Sequence, residues 1–269
     1  MIQQAITRDT YHAHPALSRG RLFDLHDSPR VYEAKHILRT IPPKRPTPQM
    51  QLGTAIHSLA LEGRSLLVSC PVEHLASNGA MSTKAAKEWR AEVEAEGYIV
   101  SDPETTGRIQ MAAWSVAFAL QKIGIDLERC HIEQPILWTH AETEIACRCL
   151  PDVRANRGII DLKTTEKIDD RDLEKSIYDY GLWLQYAHYR EGFESLGHTL
   201  ETWSFLFVET QAPYRTKWVS MDPDYEHWAV QKRHELLRDL KDRTERNDWA
   251  EKDEGEPREV KLPRFIKGE

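Results

Sequence analysis

The chain has 269 residues, enough for one large domain or two small ones, and its composition of 40% hydrophobic and 29% charged residues is ordinary for a globular protein in water. No apolar run approaches the roughly 20 residues that span a bilayer, and the start lacks the basic and apolar segments of a secretory signal, so we expect a cytoplasmic location. The formal net charge of −7 argues against DNA binding through bulk positive charge, although phosphate contact needs only a local basic surface.

The N-terminal third is predicted to be mainly helical. "ALSRGRLFDLHDSPRVYEAKHIL" indicates two short helices broken at Ser28-Pro29, with Ser28 as the cap of the second helix. The segment Ile41–Met50 contains four prolines and is therefore predicted to be an irregular connection. Helical spacing of apolar residues returns in "QLGTAIHSLAL", from Gln51 to Leu61.

Two further helices are predicted before the middle of the chain. "STKAAKEWRAEVEAEG" is amphipathic, with a serine cap at Ser82 and a glycine stop at Gly97. Asp102 is placed to cap a longer helix that ends before Gly124. The order of these elements predicts a helical N-terminal part, residues 1–124, which carries His57.

The period of the sequence then changes to that of strands. "HIEQPILWTH", "EIACRCL", "DVRAN" and "GIIDLKTT" are short and rich in apolar residues, and we interpret them as consecutive antiparallel strands with a tight turn at Asn156–Gly158. Cys147 and Cys149 alternate within this region and should point to one face. No CxxC pair occurs, which argues against a zinc site and predicts reduced, mostly buried thiols.

The remaining elements complete one domain. Two helices follow in "DDRDLEKSIYDYG" and "LWLQYAHYREGFESLG", then strands in "TWSFLFVET" and "YRTKWVSM", then a long helix capped by Asp222. We therefore predict a single α/β domain over residues 1–248, with the core in residues 125–248 and a polar tail at 249–269.

The stretch "CLPDVRANRGIIDLK" carries the charges that need an explanation. If "DVRAN" and "GIIDLK" form a hairpin, Asp152 and Asp161 lie on neighbouring strands, and Asp161 and Lys163 share a face. Two carboxylates at a sheet edge are hard oxygen ligands that suit Mg²⁺ or Mn²⁺. The alternative is structural, with Asp152 and Lys163 as a cross-strand ion pair and Asp161 as a turn residue.

Pro151-Asp152 and Asp161-Leu162-Lys163 resemble the two halves of the signature of the PD-(D/E)xK nuclease superfamily. Within it, the chain is most similar to the exonuclease VIII type of phage and prophage recombination nucleases. Further similar stretches are "LSRGRLFDLHDSPRVYEAKH", "QLGTAIHSLALEG", "YDYGLWLQYAHYREG" and "FLFVETQAPY". The resemblance spans about residues 16–240 and implies a restriction-endonuclease-like core, a central mixed sheet flanked by helices, with a helical N-terminal elaboration.

The resemblance also implies roles for individual residues. His57, Asp152 and Asp161 would bind Mg²⁺, for which Mn²⁺ could substitute, and the backbone carbonyl of Leu162 would be a further ligand. Lys163 would be the catalytic lysine. After the histidine helix the family usually continues Leu-Glu-Pro, whereas this chain has Leu-Glu-Gly, so the following loop differs.

Three other residues receive supporting catalytic roles from the same resemblance. Gln185 and Tyr189 lie four positions apart on one helical face and would contact the DNA backbone or order the site. Glu133 stands where the family often has a helper carboxylate. Each also has a plainer interpretation: Gln185 and Tyr189 as structural hydrogen-bonding residues, Glu133 as a solvent-facing residue, and His57 as a core histidine.

The activity implied is metal-assisted hydrolysis of DNA by a processive 5′-to-3′ exonuclease that acts on linear duplexes and leaves 3′ overhangs. A homo-oligomeric ring and a single-strand annealing recombinase as partner are implied with it. One alternative is an endonuclease of the same superfamily in defence or repair; the related iron–sulfur nucleases need cysteines after the core, and none follows Cys149. The other alternative is a non-catalytic DNA-binding module on the same fold.

Overall fold

A five-stranded mixed sheet forms the centre of the fold. The computed structural model describes residues 8–252 and 254–255. The α-helices of these residues are α1 (Arg8–Ala13), α2 (Arg19–Asp27), α3 (Pro29–Tyr32), α4 (Pro48–Glu62), α5 (Lys84–Ala95), α6 (Pro103–Lys122), α7 (Asp170–Asp179), α8 (Leu182–Glu194) and α9 (Pro223–Arg246). The strands are β1 (Leu67–Ser69), β2 (Ile99–Ser101), β3 (His131–Ile132), β4 (Ile136–Thr139), β5 (Ala146–Cys149), β6 (Val153–Arg154), β7 (Gly158–Thr165), β8 (Thr202–Glu209) and β9 (Thr216–Val219).

The main sheet has the order β3-β6-β7-β8-β9. Its central pair, β7 and β8, is parallel over their full lengths, from Gly158 opposite Thr202 to Thr165 opposite Glu209. The other neighbours in this sheet are antiparallel. The helices α7 and α8 lie in the connection from β7 to β8, as a parallel pair requires.

The predicted series of consecutive antiparallel strands is wrong in one respect, because β4 and β5 form a hairpin outside the main sheet and β3 pairs directly with β6. The hairpin packs against α8 instead of extending the main sheet. A Cβ added at Gly192 would lie only 2.8 Å from both Cys149 Sγ and a ring carbon of Trp138, so the glycine allows this close approach. Cys147 and Cys149 are both buried on that side, as predicted, and the thiols of all the cysteines are free.

The two faces of the sheet bury separate apolar clusters. Strand β7 contributes Ile159 to a cluster with α2, α8 and α9, and contributes Ile160 and Leu162 to a second cluster with α4 and α6. This assignment follows the alternation of side chains along a strand. As a result, α4 on one face of the sheet and α8 on the other both lie within reach of the same edge of β7.

Capping residues explain where most helices begin. Ser28 accepts a hydrogen bond from the Val31 N–H, with Pro29 in the first turn, and Asp102 and Asp222 cap α6 and α9 in the same way. Helix α4 begins at Pro48, earlier than predicted, because Thr47 caps it.

Some local features of the structure differ from the sequence prediction or were absent from it, and part of the predicted tail cannot be compared with the structure. Helix α5 is capped by Thr83 instead of Ser82, and the short parallel pair β1 and β2 was not predicted. Trp249 is buried and stacks on Tyr32 with ring centroids 5.3 Å apart. Within the predicted tail, residue 253 and residues 256–269 lie outside the described residues. Within the described part, none of the helices combines the length and the apolar character that a membrane span requires.

Candidate metal and catalytic site

The candidate site lies where β6 and β7 stop being neighbours. Strand β7 pairs with β6 only through Ile159 and Ile160, while its pairing with β8 continues to Thr165. The edge of β7 from Asp161 onward is therefore open on the β6 side. Asp152, which directly precedes β6, stands next to that opening.

Asp161 is fully buried although it is a carboxylic acid. One of its oxygens contacts the ammonium group of Lys163, and the other accepts a hydrogen bond from the side-chain amide of Gln185 on α8. Lys163 is on the same face of β7 and remains about a quarter exposed, at 24%. The structural alternative is therefore contradicted, because Lys163 pairs with Asp161, which is in the middle of a strand and not in a turn.

Asp152 joins the opposite side of the site. Its Oδ2 accepts a hydrogen bond of 2.8 Å from the backbone N–H of Leu162 and lies 3.6 Å from Nδ1 of His57 on α4. The N–H and C=O groups of a strand residue point to the same side of the strand, so the Leu162 carbonyl also points toward this edge. His57 is 20% exposed on its side chain and contacts a carboxylate, which contradicts the interpretation of a core histidine.

The electrostatics of the site favour an added cation. The pKa of Asp161 is raised from 3.8 to about 6, first by burial and second by the neighbouring Asp152 carboxylate, while Lys163 acts in the opposite direction. An ionised carboxylate is unstable in such a place unless positive charge compensates it. Lys163 alone does not restore the ordinary pKa, so a divalent cation beside both aspartates would stabilise their ionised forms.

The residues present fit a hard divalent cation. Ligand atoms of His57, Glu133 and Asp152 all lie within 4.8 Å of one another, and these three residues are partly buried. Glu133 reaches this position through a left-handed backbone, with φ of 44°, and its N–H donates to the Asp152 carbonyl at 3.1 Å. Asp161 stands outside this group of three and is held by Lys163 and Gln185. Carboxylate oxygens with one imidazole are a donor set that suits Mg²⁺ or Mn²⁺.

Tyr189 is not at the open edge. It lies one turn beyond Gln185 on α8, half-buried, with its ring edge-to-face against Trp203 at a centroid distance of 6.1 Å. Burial, together with Tyr11 and Asp161 nearby, raises its pKa well above the ordinary value of 10.0. The structure thus places Tyr189 behind Asp161, on the core side.

Arg19 is a residue of this site that the sequence analysis missed. Its guanidinium donates to Gln185 Oε1 at 3.3 Å and to the Tyr180 carbonyl at 3.0 Å. With its oxygen accepting from Arg19, the Gln185 amide presents its nitrogen to Asp161. No spacing rule links residues 19 and 185, and only the similarity of "LSRGRL" to the family's opening helices drew attention to the segment.

Comparisons with known proteins agree with the fold described above. Residues 130–256 match the model of the family DUF3799, described as a PDDEXK-like domain of unknown function. A solved structure from Eubacterium rectale, described as that of a candidate exonuclease, is similar over 98% of both chains with a TM-score of 0.60 at 14% sequence identity. No curated protein matches the chain. The chain therefore has the PD-(D/E)xK nuclease fold, and its C-terminal half matches a PDDEXK-like domain family.

Proposed function

We propose that this chain is a metal-dependent deoxyribonuclease, and specifically a processive 5′-to-3′ exonuclease that digests linear duplex DNA and leaves 3′ overhangs. One observation carries the proposal: Asp161 is fully buried at a sheet edge between Lys163 and Gln185, with Asp152 and His57 beside it. A purely structural role would not require a buried carboxylate whose ionisation its surroundings oppose. The similarity to a candidate exonuclease supports the exonuclease form.

Each residue of the site has a task in this proposal. Asp152, Asp161, His57 and the Leu162 carbonyl would hold Mg²⁺ or Mn²⁺, with Glu133 as an additional carboxylate. When bound, such an ion supplies Lewis-acid polarisation of a phosphate and a more acidic water. The ammonium of Lys163 stabilises the negative charge that develops on the phosphate oxygens during the attack of water.

Two further residues keep Asp161 in place. Gln185 fixes one carboxylate oxygen by donating to it, and Arg19 fixes the Gln185 amide. This leaves the second oxygen of Asp161 facing Lys163. Tyr189 supports the same region of α8 from the core side, and we assign it a positioning role.

The DNA backbone would be contacted by the proline-rich connection before α4. Lys44 and Arg45 are exposed there, and the second turn of α4 lies next to β7, because a Cβ added at Gly53 would lie 3.1 Å from Oγ1 of Thr164 on that strand. The double variant Lys44→Ala/Arg45→Ala should lower the salt dependence of DNA binding by about 1.8 in the log–log slope, since each contacted phosphate contributes about 0.9. Lys84→Ala/Lys87→Ala on α5 removes the same charge and should leave the slope unchanged; equal slopes for the two double variants would refute the contact.

Partners follow from the proposed reaction. Processive digestion requires that the enzyme enclose its substrate, so we propose a homo-oligomeric ring, and the 3′ overhangs would be taken up by a single-strand annealing recombinase. Analytical ultracentrifugation of the whole chain tests the ring, and a monomer at micromolar concentration would contradict it. The cytoplasmic location stays a prediction.

The polarity of digestion can be tested with end-labelled DNA. Linear duplexes labelled at either the 5′ or the 3′ ends are incubated with the protein and Mg²⁺, alongside closed circular DNA. We expect early release of the 5′ label, late release of the 3′ label and no cutting of the circle. Early release of the 3′ label would refute the polarity, and linearisation of the circle would favour an endonuclease.

A further inference from the structure

A second group of metal-ligating side chains lies away from the site described above. His140 and Glu142 are in the turn between β4 and β5, His234 is on α9, and Glu191 is on α8. We call these four residues the histidine cluster. Along α8, Glu191 is six residues beyond Gln185, which corresponds to about 9 Å of helix rise, so the two sites are separate.

The distances within the histidine cluster match a small coordination sphere. Nε2 of His140 lies 3.2 Å from Nδ1 of His234, and Oε1 of Glu191 lies 3.8 Å from the same Nε2. Ligand atoms of His140, Glu142 and His234 all lie within 4.8 Å of one another. Two nitrogens bound tetrahedrally to one zinc ion at about 2.0–2.1 Å would be roughly 3.3 Å apart, which is close to the separation of the two imidazoles.

The surroundings of His140 resemble those of a metal-binding histidine. Its side chain is only 3% exposed, and its second ring nitrogen, Nδ1, lies 2.9 Å from the hydroxyl of Thr143. The backbone N–H of Thr143 also donates to Nδ1, at 3.3 Å. These two contacts fix the orientation of the ring and leave Nε2 facing the cluster.

The neighbouring charges decide which metal would bind. Arg233 is buried and pairs with Glu191, and Arg238 donates to both oxygens of Glu142 at 2.6 and 3.2 Å. These arginines offset the two carboxylates, so the cluster has little excess negative charge for Mg²⁺ or Ca²⁺. Imidazole nitrogens instead favour first-row transition metals such as Zn²⁺. A cavity of about 440 Å³ that is lined in part by Glu191, Arg233 and His234 gives the ion a route of entry.

We propose that the histidine cluster is a structural Zn²⁺ site, with His140 and His234 as nitrogen ligands and Glu142 and Glu191 as oxygen ligands. The ion would join the β4–β5 turn to α8 and α9, three elements that otherwise meet through packing and ion pairs. The lack of a CxxC pair bears only on cysteine-rich zinc sites, whereas these ligands are histidines and carboxylates. The proposal does not depend on the nuclease function.

The test is a calorimetric titration with Zn²⁺ of the full chain, prepared without an oligohistidine tag. Asp152→Asn/Asp161→Asn serves as the background, so that the other site contributes little binding. We expect one Zn²⁺ per chain, a rise in thermal midpoint on its addition, and the visible absorption of tetrahedral Co²⁺ when Co²⁺ replaces Zn²⁺.

His234→Ala in the same background should weaken Zn²⁺ binding at least about 100-fold, since even the loss of an outer partner of a ligand costs about 10- to 100-fold. His227→Ala is the matched control, because His227 is exposed on the same helix, and it should bind Zn²⁺ as the background does. If His234→Ala does not fold, Glu191→Gln tests the same ligand set. Zn²⁺ affinity that is equal in the His234→Ala, Glu191→Gln and His227→Ala variants, or no binding by the background, would overturn the proposal.

Discussion

The carboxylate site (His57, Asp152, Asp161, Lys163 and Gln185) and the histidine cluster use the same helix in opposite ways. Helix α8 supplies Gln185 to the first and Glu191 to the second. At the carboxylate site, Asp161 pairs with the ammonium group of Lys163 and Asp152 lies beside His57, and the pKa of Asp161 stays raised. At the histidine cluster, each glutamate has its own arginine.

The degree of charge compensation separates a reactive site from a structural one within one fold. Incomplete charge compensation leaves the carboxylate site dependent on an added hard cation, which suits a substrate that carries phosphates. Nearly complete compensation makes the histidine cluster stable before any metal binds, so a metal there would add rigidity instead of reactivity.

The largest effect is expected from Lys163→Ala. Removal of the ammonium group should lower the rate of Mg²⁺-dependent digestion of linear duplex about 10²- to 10⁴-fold, because charge on the phosphate is no longer stabilised. The initial rate of nucleotide release measures this effect. Lys167→Ala, an exposed lysine four residues later, should retain the wild-type rate. Equal rates in the two variants would remove Lys163 from the mechanism.

The next effect concerns the histidine cluster and folding stability. Arg233→Met removes a buried guanidinium that pairs with Glu191 and donates to His188 at 3.2 Å. The free energy of unfolding should fall by about 3 kcal/mol, since the partly buried Glu191 is left without its counter-charge and the buried His188 loses its donor. Urea denaturation measures this change. Lys232→Met breaks only a surface pair with Glu235 and should cost less than about 1 kcal/mol, so similar losses would contradict the contrast.

In the absence of metal, a substitution at the carboxylate site should raise the free energy of unfolding, whereas Arg233→Met lowers it. The pKa of Asp161 is raised from 3.8 to about 6 in the folded protein, so between these values the folded state binds a proton that the unfolded state releases. The stability of the wild type therefore falls as the pH rises through that window. Asp161→Asn removes this dependence and, at pH 7 in EDTA, should raise the free energy of unfolding by roughly 1–3 kcal/mol.

Thermal melts of both proteins at pH 4 and pH 7 test this prediction, and the advantage of Asp161→Asn should shrink at the lower pH. Added Mn²⁺ should stabilise the wild type more than the variant. A variant that is less stable than the wild type at pH 7 in EDTA would show that the burial of Asp161 is already compensated.

The smallest effect is expected from Gln185→Ala. Loss of the amide donor should raise the pKa of Asp161, so that the acidic limb of the pH–rate profile moves to higher pH and the rate at neutral pH falls about 10-fold. Gln231→Ala, an exposed position on α9, is the control. A lower rate without any shift of the acidic limb would indicate a merely structural role.

Local patterns predicted most of the elements that form the carboxylate site. The alternation of "GIIDLKTT" gave β7 with its bounds, and it put Asp161 and Lys163 on one face. The capping signals at Ser28, Asp102 and Asp222 also agree with the structure. These features depend on neighbouring residues, which a sequence displays directly.

Features that depend on distant contacts were not predictable in the same way. The departure of β4 and β5 from the main sheet is settled by packing on α8, and the contact of Arg19 with Gln185 joins residues 166 positions apart. The histidine cluster likewise gathers His140 and His234, 94 positions apart. The local sequence pattern did not predict where the Glu133 side chain lies. Its place beside Asp152 depends on a left-handed backbone that a glutamate rarely adopts.

The central claim is that the carboxylate site hydrolyses DNA with a bound divalent cation. The most direct measurement is release of acid-soluble nucleotides from linear duplex by wild type, Asp161→Asn and His234→Ala, each with Mg²⁺ and with excess EDTA. We predict release by wild type and by His234→Ala in Mg²⁺ only, and none by Asp161→Asn. Release that persists in EDTA or in Asp161→Asn, or no release by the wild type in Mg²⁺ or Mn²⁺, would contradict the account.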